Sequence, residues 1–173
     1  MIISSSAHPE LARLIRLDVP AADWRQAIRA AAEPLLEAGY IEPSYVAAME
    51  EVMAELGPYF VIVPGVALAH ARPEGRVKRS GVSLCRLAAP VRFGHAENDP
   101  VWLVVVLAGS TDDSHLDLLS SLARFLGSED ALDKVRQAGS PGEAAQALAP
   151  FLSTGTDGLP VDRDGRVKGQ ADG

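Results

Sequence analysis

Apolar positions recur along this chain in two rhythms, one helical and one of short unbroken runs. Trp24, Ile28, Ala31, Ala32, Leu35 and Leu36 follow Asp23 at helical spacing and stop before Gly39, which predicts a helix capped by Asp23 and kinked or divided at Pro34. Tyr45, Ala48, Met49, Val52, Met53 and Leu56 repeat the rhythm between Pro43-Ser44 and the stop at Gly57-Pro58. The pattern then changes. Residues 59–63, 82–87 and 91–93 read as short strands, and Val101–Ala108 as a central one, because a near-continuous apolar run implies cover on both faces. Pro64-Gly65, Ala89-Pro90 and Gly94 punctuate them. Helical spacing returns with Leu116, Leu118, Leu119, Leu122, Phe125 and Leu126 behind Ser114 as N-cap, with Asp117 in the first turn. Ser128 caps a further helix closed by Gly139, and Ser140-Pro141 opens a last one to about Phe151. Residues 1–20 fit either a strand or one helical turn.

Helices before, between and after strands indicate an α/β fold with a mixed central β-sheet sandwiched between helical layers. Residues 1–152 are read as one domain. Residues 153–173 carry few apolar and many turn-forming positions, which predicts a disordered tail or a linker. A chain of 173 residues with 47% hydrophobic and 23% charged positions buries enough surface to need no staple, and the single cysteine, Cys85, excludes an internal disulfide framework or a CxxC motif. The net charge of −7 offers no basic footprint for nucleic acid and repels anionic membrane surfaces. The first residues lack the basic and then apolar order of a signal peptide, and no stretch reaches the roughly 20 apolar residues that span a bilayer. A cytoplasmic location is expected.

Candidate chemistry centres on histidine. His70 lies in a loop of small residues, Pro64, Gly65, Ala67, Ala69 and Ala71, that would let another protein surface approach the imidazole. His115 opens a helix, whose positive end favours anions by up to about 2 kcal/mol when partly buried. Arg72 offers a fork of donors for phosphate oxygens. Each has a plainer reading as well: a loop histidine, a polar helix start, a solvated arginine. Asp99 could orient a histidine or cap a turn, His95 and His8 read as surface residues, and Cys85 as a small buried hydrophobe. Zinc would need His70, His95 and His115 with Asp112 or Asp113, and no H-x-x-x-H or H-E-x-x-H spacing supports it. G-x-S-x-G and phosphate-cradling P-loop motifs are absent.

The order G-V-A-L-A-H-A-R-P ending at Pro73, P-V-R-F-G ending at Gly94, N-D-P-V-W-L-V-V-V-L-A ending at Ala108 and H-L-D-L-L from His115 resembles the IIA domain of the phosphoenolpyruvate-dependent sugar phosphotransferase system, mannitol/fructose type, over about residues 20–151. The resemblance implies a mixed sheet between helical layers and a cytosolic phosphocarrier. It places the phosphoryl acceptor at His70, fed by the phosphohistidine of the carrier protein HPr and discharging to a IIB component, with a membrane IIC permease further on. It makes His115 the second active-site histidine, with Arg72 and the helix start at Ser114 stabilising phosphate. It implies no metal or cofactor, since the donor is already activated, and it is compatible with a homodimer. Two positions depart from the family pattern: Ala69 replaces the proline before the active histidine, and Val52 stands where the mannitol branch carries a phosphate-binding arginine. Gly57–Tyr59, Pro64–Leu68 and His70–Pro73 are closer to the ascorbate-type branch. The rival readings are a IIA-like regulatory module whose phosphorylation state controls a binding partner, and a small histidine hydrolase.

Overall fold

The computed structural model describes residues 8–152, so the tail expected over 153–173 lies outside the described residues. Its elements in chain order are helix α1 (Pro9–Ala12), strand β1 (Ile15–Val19), helices α2 (Trp24–Glu37) and α3 (Pro43–Leu56), strands β2 (Val61–Val63), β3 (Val66–Ala69), β4 (Gly81–Val91) and β5 (Val101–Ala108), and helices α4 (Asp112–Leu126), α5 (Glu129–Gln137) and α6 (Pro141–Leu152). They divide into two compact units. Arg13–His115 holds every strand with α2 and α3, while residues 8–12 and 116–152 hold α1, most of α4, α5 and α6.

The strands form one sheet in the order β1-β4-β5-β3-β2, with β5 at its centre as its apolar run predicts. β5 pairs antiparallel with β4 and parallel with β3, and β1 runs parallel to β4. The parallel pair decides where chemistry can occur. Ala69 lies opposite Val106, so the chain leaving β3 and the chain leaving β5 emerge from the same end of the sheet. One face is covered by α2 and α3: Ala27, Ile28, Ala31 and Leu35 with Tyr45 and Met49 meet Ala67, Ala69, Cys85, Val104 and Val106. Alanines at the contact let α2 lie close enough for buried Ser83 Oγ to donate to the Ala31 carbonyl at 2.6 Å. Leu103, Val105 and Leu107, alternating with that set along β5, are buried too.

Several local expectations are corrected. Of the stretch read as residues 1–20, the described part, 8–20, supplies both alternatives, one helical turn and then β1. Pro34 does not divide α2, because it falls in the last turn, where its own carbonyl accepts from Ala38 N–H and that of Leu36 from Gly39 N–H as the chain exits. The strand expected over 59–63 is confined to 61–63. Residues 82–87 and 91–93 were expected as separate strands, but β4 is continuous through Pro90; its register with β5 breaks between Arg86 and Val91, the kind of irregularity that tolerates a missing N–H. Ser114 is not the N-cap of α4, which begins two residues earlier. Asp23 and Ser128 cap as expected, accepting from Gln26 N–H and Ala131 N–H.

In the second unit, the rings of Phe125 and Phe151 meet edge-on at 5.6 Å, and Ser140 Oγ accepts from Glu143 N–H at the start of α6. The Lys134–Asp130 and Arg136–Asp133 pairs on α5 are exposed, so each contributes well under about 1 kcal/mol.

Within the sheet-bearing unit, α2 and α3 are joined by one buried acid. Glu50 accepts from Arg29 Nε at 2.7 Å and from Arg25 Nη1 at 3.1 Å, and those bonds, Arg29's first, hold its carboxyl below the ordinary 4.5. Glu50→Gln is expected to lose about 1–3 kcal/mol at pH 7, toward the low end because both arginines can rehydrate. A carboxyl with a depressed folded pKa stabilises above its unfolded value and stops doing so as pH falls through the folded one. Urea unfolding of wild type and variant should therefore differ at pH 7, with the gap narrowing as the medium is acidified below 4.5; a gap that does not narrow on acidification would refute this account.

Candidate active site

β3 ends at Ala69 with all four of its residues buried, so His70 is the first side chain free to leave the sheet end. Its imidazole does not swing freely, because Nδ1 lies 2.9 Å from the Leu68 carbonyl. A carbonyl only accepts, so Nδ1 carries the proton and Nε2 keeps its lone pair. Phe60 and Tyr59 stand beside the ring at centroid distances of 5.4 and 6.0 Å, and the His115 ring lies 5.7 Å away. Burial among these rings pushes the His70 imidazole below its ordinary 6.5; the Leu68 carbonyl opposes the shift and His115 adds to it. Neutral, nucleophilic imidazole is thus the resting form at pH 7.

The opposing histidine is set by a backbone contact and by a reciprocal cap. Gly109 follows β5 so closely beneath α4 that a Cβ there would lie 2.5 Å from His115 Cα and 2.7 Å from its N, which only glycine permits. Thr111 Oγ1 accepts from Ser114 N–H while Ser114 Oγ accepts from Thr111 N–H, the two-way arrangement of a capping box with serine in the acidic position. Ser80 Oγ bridges Ser110 and Ser114, tying the entry of β4 to the start of α4.

A third support comes from α3. Tyr45 is fully buried, yet its hydroxyl lies 2.7 Å from the Leu107 carbonyl and accepts from Ala71 N–H at 3.1 Å. It clamps the residue after His70 to the end of β5. Burial pushes this phenol up to about 12, so it stays protonated and can donate to Leu107.

His70 and His115 share a cleft of about 520 Å³ with Arg72, Arg76, Glu51, Glu74 and Asp112, and with Ala48, Val52, Leu56 and Tyr59. Of the sequence-derived candidates, His70, His115 and Arg72 therefore come together, Arg72 on the exposed rim. Ser114 does not line the cleft: its N–H and hydroxyl are both engaged with Thr111. Asp99 caps a turn, accepting from Phe93 and Gly94 N–H groups, and His95 Nδ1 accepts from Glu97 and Asn98 N–H groups in the same loop. Cys85 is buried in β4, its thiol pushed up to about 12 by desolvation. Among the described residues no three His, Cys, Asp or Glu side chains gather as a metal site. Likewise no helix there is long and apolar enough to cross a membrane. A groove of similar size between α2 and α3, lined by Arg29, Glu33 and Glu50, contains no nucleophile. Tyr45, Gly109 and Arg76 were not singled out from sequence. A tyrosine among alanines and methionines on a buried helix face was the available signal, since its hydroxyl must find a partner.

Two measurements follow from this geometry. His70 should titrate below 6.5 in imidazole NMR; because the unfolded chain protonates more readily, the stability this group contributes is present above about 6.5 and lost as pH falls through the lower folded value. A titration at or above 6.5 would contradict the desolvated setting. Tyr45→Phe should lose about 1–3 kcal/mol, leaving Leu107 C=O and Ala71 N–H without their partner, and should speed amide exchange at Ala71; unchanged exchange there would show that the clamp does not hold the loop.

The family model described as the phosphoenolpyruvate-dependent sugar phosphotransferase system, EIIA 2, matches residues 11–150. SgcA of Escherichia coli strain K12 is 39% identical over 118 residues, 68% of this chain and 82% of SgcA. The ascorbate-specific PTS system EIIA component of the same strain is 35% identical over 123 residues, 70% of this chain and 80% of that protein. Among solved structures, the Escherichia coli mannitol IIA in complex with phosphorylated mannitol IIB is 33% identical with a TM-score of 0.69, over 80% of this chain and 96% of that one. With a mixed sheet and helices arranged as in such structures, this chain belongs to the EIIA 2 family of the phosphoenolpyruvate-dependent sugar phosphotransferase system.

Proposed function

We propose that this chain is a cytoplasmic phosphocarrier that accepts a phosphoryl group on His70 from the phosphohistidine of HPr and delivers it to a IIB component. The observation that carries this reading is the Nδ1–H bond to the Leu68 carbonyl, which leaves Nε2 as the nucleophilic nitrogen of a desolvated imidazole. In the reaction the Nε2 lone pair attacks phosphorus, the new N–P bond forms as the donor's N–P bond breaks, and the donor imidazole departs with its electron pair. Positive charge then develops on the His70 ring, where the Leu68 carbonyl accepts from Nδ1–H and stabilises it. His115 faces the acceptor across the cleft and assists the phosphoryl oxygens. Arg72, on the rim, meets the incoming charge, and Ser114 acts through the cap that sets His115. Exposed Leu56 and Tyr59 at the cleft give a partner an apolar foothold suited to a small, transient interface.

Discharge to IIB is supported by the solved mannitol IIA complex, in which the IIB partner is phosphorylated. Ascorbate is the sugar class we favour, on the likeness to ascorbate-specific relatives and on the apolar Val52 within the cleft. Incubation with phosphoenolpyruvate, enzyme I and HPr should add one acid-labile phosphoryl group to the intact mass, and His70→Ala should abolish it. A wild-type chain that stays unmodified with authentic partners would overturn the carrier reading.

A further inference from the structure

We infer that Arg76 is the residue that binds the phosphoryl group in the His70 cleft. The inference takes the identity of the ligand from the phosphocarrier reading and rests otherwise on the cleft itself. Helix α3 lends the cleft Ala48, Val52 and Leu56, which are apolar, and Glu51, which is acidic, so both cationic side chains in its lining come from the loop after His70. Glu51, Glu74 and Asp112 outnumber those two arginines. A diffuse positive field therefore does not draw an anion in, and directed donors must hold it.

Arg72 and Arg76 are not equivalent as donors. Arg72 is exposed, whereas the Arg76 side chain retains only 27% of its exposure and is anchored, Nη2 donating to the Arg72 carbonyl at 2.9 Å and lying 3.4 Å from Glu74. The Arg76 Nε is buried without a hydrogen-bond partner, and so is His115 Nδ1. Both belong to residues that line the cleft around His70. A buried polar nitrogen left without a partner costs about 1–3 kcal/mol, more when the group is charged, and here two such nitrogens belong to residues of one cleft. A phosphoryl group on His70 brings three acceptor oxygens, and the planar fork of a guanidinium already held at one nitrogen fits them with little further loss of side-chain freedom. Nearness to the clamp is independent support, since Arg76 acts electrostatically on the Tyr45 phenol that secures Ala71. Small rotations about the anchored Nη2 would bring the shielded edge to the oxygens, so binding should order the loop.

The test uses the full chain and inorganic phosphate, with no carrier protein. Phosphate should shift the imidazole NMR signals of His70 and His115 in wild type. Arg76→Gln should weaken that binding about tenfold or more, while its phosphate-free signals stay at wild-type positions, which a merely structural role would not allow. Lys78→Gln, removing a surface cation paired with Glu42 outside the cleft, should bind as wild type. Arg76→Met keeps the aliphatic stem and provides the same reading should glutamine disturb the loop. Wild-type affinity in either folded variant, or no phosphate effect on the wild-type imidazoles, would overturn the inference. A chain that binds phosphate through Arg76 yet takes no phosphoryl group from HPr would instead sink the carrier reading and leave this one standing.

Discussion

The pairing of β3 with β5 is the constraint on which the rest of this molecule depends. Because the two strands run parallel and Ala69 registers against Val106, the segments that go on to His70 and His115 leave the sheet at one end. Open α/β sheets bind ligands outside the carboxyl ends of their strands for this topological reason. Here the same geometry brings an imidazole from one loop against an imidazole from the first turn of a helix, at 5.7 Å between centroids. Reversing either strand would separate them by the length of the sheet.

Local forces then refine what topology permits. Desolvation by aromatic neighbours and a hydrogen bond from the imidazole to its own strand act on the protonation of His70 in opposite directions, and burial wins. The outcome is a ring that is neutral at rest and has a carbonyl placed to accept from Nδ1–H. A glycine that tolerates backbone contact and a reciprocal Thr111–Ser114 cap do for His115 what the Leu68 carbonyl does for His70. Neither histidine is positioned by the other, so the two imidazoles are preorganised.

Legibility from sequence followed the strength of each local signal. The bounds of β5 were readable because eight apolar residues admit few alternatives, and the caps at Asp23 and Ser128 because a short side-chain oxygen before an apolar helix has one common use. The helix start near residue 114 was misplaced by three positions, the cap being Thr111, since Thr111 and Ser114 are both capable caps and only the fold shows that they cap each other. Pro90 read as a strand break when it is a register shift inside β4, a distinction that needs the partner strand. Arg72 was legible as a neighbour of His70 in sequence, whereas Arg76 returns to the same cleft only after Pro73–Gly75 turns the chain. Tyr45 was counted among apolar helix positions, and its use emerges only when Leu107 and Ala71 are brought to its hydroxyl.

That hydroxyl has a consequence for quality control. Its two partners lie 26 and 62 residues away, on segments that meet only when β5 has joined the sheet and α3 has docked upon it. An incompletely folded chain therefore cannot hold the loop after His70 in its native shape. On the carrier reading proposed above, reactivity and completed folding become a single event, so nascent or damaged copies of the protein would not siphon phosphoryl groups from a shared donor pool.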